Sequence, residues 1–144
     1  MRIVAWFLVV FLGATSVGFA REPIAATIYK DPQCSCCNNY AAYLRLAGFT
    51  VEIVDTADVW SVKQEHGVPD DLASCHTMTI GDYVVEGHAP VATLNRLLEE
   101  KPPIKGIALP GMPQGSLGMS GEKEAPFEVF TISDDRPRTV YAVE

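Results

Sequence analysis

Three of the chain's four cysteines, Cys34, Cys36 and Cys37, fall within four positions at the junction of a strand-like run and a helix-like run. Before them, "ATIY" (Ala26 to Tyr29) reads as a short buried strand, and Asp31-Pro32 breaks it. After them, Tyr40, Tyr43, Leu44 and Ala47 recur at helical spacing, and Gly48 supplies a C-terminal stop. A second strand follows at once in "FTVEIVDT" (Phe49 to Thr56), which alternates and is rich in β-branched residues. Two strands joined through a helix need a crossover and run parallel. The junction therefore commits the chain to a β-α-β unit whose helix opens on thiols.

The downstream sequence extends that unit. "DVWSVKQEHG" predicts a short helix opened by Asp58 and closed by Gly67, with Val59, Trp60 and Val62 as core residues and His66 facing the negative end of the helix dipole. "VPDDLASCHT" is a loop. "TMTIGDYVVEGH" predicts two strands around Gly81-Asp82. Pro90 opens a helix running through Glu100, with Val91, Leu94, Leu97 and Leu98 on one face. The order β-α-β-α-β-β-α predicts a thioredoxin-like α/β fold around a mixed sheet. Ile104 to Pro126 is Gly- and Pro-rich and is predicted irregular. "PFEVFTI" and "RTVYAV" then form a C-terminal β-hairpin around Ser133 to Arg136.

The first twenty residues, "MRIVAWFLVVFLGATSVGFA", stand apart. Arg2, an apolar run from Ile3 to Leu12, and small Gly18 and Ala20 make the pattern of a signal peptide cut before Arg21. That leaves residues 21–144 as one domain, exported to a compartment where disulfides are allowed. The net charge is −7 and there is no basic patch, so nucleic acid is not an expected partner.

What can the cysteines do? As disulfide staples, Cys34, Cys36 and Cys37 are inefficient, because neighbours this close pair only under strain. A disulfide-stabilised binding module is the weakest reading and leaves no free thiols. Thiol redox chemistry fits better. Cys34 and Cys37 make a C-x-x-C at a helix N-terminus, where unpaired N–H groups and the dipole favour thiolate. Cys34 would attack and Cys37 would resolve, but Cys36 is then a liability.

Metal binding uses the third thiol. In a thioredoxin-like unit the loop before the third strand lies against the first helix's N-terminus and usually ends in a cis-proline. Here Cys75 takes the proline's place, so all four cysteines meet. Four thiolates suit Zn(II), Cu(I) or an iron–sulfur cluster. The crowded C-x-C-C spacing is a poor tetrahedral zinc clip and a narrow one for iron–sulfur, whereas Cu(I) accepts few and bridging thiolates. Several Cu(I) ions bridged by Cys34, Cys36, Cys37 and Cys75 would neutralise the clustered charge. His76, His88, Met112 and Met119 are further candidate ligands, each with an alternative role in packing.

The stretches "YKDPQCSCC", "GVPDDLASCHT", "VVEGHAPVATLNRLLEEKP" and "IALPGMPQGSLGM" resemble the CopG-like family of exported bacterial copper-resistance proteins, long known only as a domain of unknown function. The resemblance spans most of Ile28 to Met119. It implies a thioredoxin-like core, copper held by the four cysteines, and a periplasmic place in copper resistance. It also implies copper redox activity, with copper ions and other periplasmic copper carriers or exporters as partners. Asn38 stands where the family often has glycine, and Leu117 where it often has proline.

Overall fold

The computed structural model describes residues 23–144. The signal-peptide reading of residues 1–20 lies outside them. The first strand, β1 (Ala25–Lys30), leads through a tight turn into α1 (Ser35–Leu46) and back along β2 (Thr50–Asp55). Then follow α2 (Val59–Glu65), a single 3-10 turn (Asp70–Leu72), the hairpin β3 (His76–Ile80) and β4 (Tyr83–Glu86), and α3 (Val91–Glu100). β5 (Gly106–Ala108), β6 (Glu128–Ile132) and β7 (Val140–Val143) complete the chain. The seven strands form one open sheet in the order β2-β1-β3-β4-β5-β6-β7. β1 is parallel to β2 and β3–β4 is an antiparallel hairpin, as the connectivity predicts, and β1 runs antiparallel to β3.

Strand alternation divides the core between the two faces. Ile28, Met78, Val85, Ile107 and Val129 turn to the side covered by α1 and α3, where they meet Tyr40, Leu44, Leu94 and Leu97. Val84, Ala108 and Ile132 turn to the other side, under Val68 and Leu72. α3 buries Leu94 and Leu97 as its stripe predicts, with Val91 and Leu98 partly buried beside them.

Three expectations are corrected. The buried face of α1 is Cys37, Tyr40, Ala41 and Leu44, while Tyr43 is 49% exposed and Ala47 is exposed too. Cys37 belongs to the apolar stripe, which turns the helix away from the predicted pattern. Trp60 is 46% exposed rather than core. The buried residue of α2 is Lys63, so an ion pair and not the aromatic ring sets which face meets the sheet. Finally, Gly106–Ala108 lies within the segment predicted irregular, yet it is a fully buried strand parallel to β4 and antiparallel to β6. Three residues are too few to show alternation. The strand is fixed by partners on both sides, and Gly106 is required because a Cβ there would run into the Val84 carbonyl.

Candidate metal centre

Lys30, at the end of β1, is buried and braces the turn that carries the cysteines. Its ammonium donates to the Asp31 carbonyl (2.9 Å) and pairs with Asp55 (2.8 Å). Asp31 in turn accepts from the Gln33 N–H through its side chain and from the Cys34 N–H through its carbonyl. The chain thus arrives at Cys34, the N-cap of α1, with its direction set. No side chain caps this helix, and its first turn holds no acidic residue. The positive end of the dipole and the unpaired N–H groups are left to the sulfurs.

Cys75 comes from the other side, one residue before β3. The carboxylate of Glu86, at the end of β4 and fully buried, accepts from the Ser74 N–H (2.5 Å), the Thr77 hydroxyl (2.7 Å) and the Lys63 ammonium (2.6 Å). Burial raises the Glu86 carboxyl above its ordinary range, and these donors oppose that shift. A buried ion pair therefore holds the loop one residue from Cys75.

The two approaches bring all four sulfurs together. The Sγ atoms of Cys34, Cys36, Cys37 and Cys75 lie within 4.8 Å of one another. Cys34 and Cys37 are joined as a disulfide, with Cα atoms 5.6 Å apart, and Cys36 and Cys75 are free. The fully stapled module would leave no free thiol, whereas here two remain. Cys36 Sγ is 3.4 Å from Cys34 Sγ. Burial, then the nearby Cys36 sulfur, push the Cys75 thiol up to about 12. An incoming metal ion must displace its proton.

Both histidines proposed as ligands stand at the same place. His76 Nδ1 is 3.4 Å and His88 Nε2 is 3.1 Å from Cys75 Sγ. Cys37, Cys75, His76 and His88 form a second group with ligand atoms mutually within 4.8 Å. Burial holds both imidazoles below their usual range, and the Leu117 carbonyl bound to His88 partly offsets this. Tyr40 stacks on His88 at 4.9 Å, lies 5.0 Å from His76, and donates its hydroxyl to the Ala89 carbonyl.

The two methionines lie in the segment after β5. Met112 is exposed on left-handed backbone, φ 59°, and Met119 is half-buried beside Asn39 and Tyr43. This segment reaches α1 closely. A Cβ on Gly118 would stand 2.7 Å from the Tyr40 nitrogen and 2.9 Å from the Cys36 carbonyl oxygen, so only glycine lets the two backbones meet.

Comparison with known proteins places this architecture. Two solved structures of the copper resistance protein CopG, forms 2 and 1, superpose on the chain with TM-scores of 0.79 and 0.78 at 36% identity. The match covers 85% of this chain and 99% and 98% of those chains. This chain belongs to the CopG family. A family model described as a protein of unknown function, DUF411, matches residues 72–119, which run from the Cys75 loop through the methionine segment. No curated protein matches. Within this CopG-family chain, sequence reasoning missed the Lys63–Glu86 pair and the part played by Tyr40. A lysine on a short amphipathic helix and a glutamate at a strand end look like surface residues until the fold brings them together. Tyr40 was legible as core, but its place against the two imidazoles, stacked on His88 and tilted to His76, depends on contacts distant in sequence.

Proposed function

We propose that the protein binds Cu(I) in the periplasm through Cys34, Cys36, Cys37 and Cys75 in their reduced form, and that it serves copper resistance. The observation that carries this is the convergence of four sulfurs from two separate loops on the N-terminus of α1. Soft thiolates select Cu(I), and bridging by crowded sulfurs disperses their charge over several ions. Membership in a family whose solved members are copper resistance proteins supports the same cargo. Binding protects the compartment by sequestering copper, or by changing its oxidation state: the reduced Cys34–Cys37 pair would give one electron to each of two Cu(II) ions, forming two Cu(I), closing the disulfide and releasing two protons. Met112 and Met119, in the segment that meets α1 through Gly118, are further candidate thioether ligands, and periplasmic copper carriers or exporters are the exchange partners.

A second function has its own support. The Cys34–Cys37 disulfide at a helix N-terminus is the arrangement of a thiol–disulfide oxidoreductase. One substitution separates the two. Cys36→Ser removes a sulfur from the copper site but leaves the C-x-x-C pair intact. Copper storage predicts a lower Cu(I) count per chain with disulfide exchange preserved. Full Cu(I) stoichiometry together with lost exchange activity reverses the ranking.

A further inference from the structure

The outer face of α1 is exposed, apolar and without a carboxylate. Cys36, Asn39, Tyr43 and Leu46 recur at spacings of three and four and so stand in one row. Tyr43 is 49% and Leu46 85% exposed. The segments around this row share its neutrality. Residues 32–51, 87–95 and 106–121 hold no Asp or Glu, and Arg45 is their one Lys or Arg. Arg45 is turned to β2, where it donates to the Val51 carbonyl at 2.7 Å. The three segments are tied together by the Tyr40 hydroxyl on the Ala89 carbonyl, the Asn39 amide on the Gly118 carbonyl and His88 on the Leu117 carbonyl. We propose that this face docks a second copy of the chain, α1 against α1 about a two-fold axis, with Leu46 of each copy covering Cys36 of the other.

Charge selects the occupant. Each copy carries a net charge of −7, which opposes self-association over most of the surface. The α1 face is where two like copies approach without setting carboxylate against carboxylate. A basic partner would be drawn instead to the acidic surface elsewhere. The row is also self-complementary. Its spacings read three, four, three from either end, so antiparallel apposition sets Cys36 opposite Leu46 and Asn39 opposite Tyr43, twice over, as a two-fold contact requires. An open groove between Asn39, Tyr43 and the stretch Gly118 to Ser120 lies beside the row and offers room for the other copy's Tyr43 ring. Docking shuts half-buried Cys36 off from solvent. The part of Cys36 as a copper ligand rests on the function proposed above, but the pairing rests on the neutral face alone.

The test uses metal-free protein with the Cys34–Cys37 disulfide closed and shown by mass to be free of intermolecular disulfides, so it reads pairing and not copper binding. Sedimentation velocity over a roughly hundredfold range of concentration, up to about 300 μM, should show monomer passing to dimer, as suits a contact of helix size. Added salt should favour the dimer, because it screens the repulsion between two acidic copies. Leu46→Glu should raise the midpoint at least about tenfold by setting carboxylates into the contact. Val143→Glu, at an exposed apolar residue of β7, should leave the midpoint unmoved. Leu46 and Val143 are 85% and 61% exposed, so both variants keep the fold. In the unaltered chain, alkylation of Cys36 should slow at least about threefold from the dilute to the concentrated end, with no such change in Leu46→Glu. A monomer at every concentration, a dimer dissolved by salt, a midpoint moved by Val143→Glu and not by Leu46→Glu, or Cys36 alkylation independent of concentration overturns the proposal. Cu(I) counting on the reduced protein reports separately on the four-thiolate site, so either can fail alone.

Discussion

Cys75→Ser is expected to weaken Cu(I) binding by the reduced protein more than about 100-fold, since even loss of an outer-shell partner costs a metal site 10- to 100-fold. Cys75 is the sulfur that comes from a separate loop. Without it, the three remaining thiols all lie within four positions at one helix end and the cluster is open on one side. The serine variant should fold normally, because the loop is held by the Ser74 N–H on Glu86 and not by the sulfur. Competition against a Cu(I) chelator under anaerobic conditions measures the change. An affinity within a few-fold of the parent would place the copper elsewhere.

Glu86→Ala should destabilise the fold by about 3–5 kcal/mol, the usual effect of removing one partner of a buried ion pair. The loss leaves the Lys63 ammonium buried opposite no charge and frees the Ser74 N–H and Thr77 hydroxyl as well. Denaturant unfolding of the metal-free protein reads the effect. The double variant Lys63→Met with Glu86→Gln should recover much of the stability, because no buried charge is then left alone. Equal destabilisation by the single and double variants would show that the network acts through shape rather than charge. The consequence for the metal centre follows from position: a loop released at Ser74 no longer delivers Cys75 to the helix end.

The elements legible in the sequence were those with local signals. The β-α-β start, the Gly81-Asp82 hairpin and the Pro90 helix each carry their own periodicity and stop residues, and each stands as expected. The meeting of Cys75 with the three other cysteines was also legible, because topology alone brings the loop before β3 to the start of α1. What sequence could not show depends on distant partners. β5 exists because β4 and β6 flank it, and α2 faces inward through Lys63 because Glu86 awaits it. The same holds for His88. His76 adjoins Cys75 in sequence, but the closeness of His88 to the same sulfur depends on the turn of β3 into β4 and on Leu117 reaching in from the methionine segment.

The central claim is that four sulfurs act together on Cu(I). Anaerobic titration of the fully reduced protein with Cu(I), with copper counted per chain and its ligands identified by X-ray absorption, tests it most directly. A sulfur-dominated shell that depends on Cys75 is the predicted result. Failure to retain copper, or a shell of nitrogen and oxygen without sulfur, contradicts it.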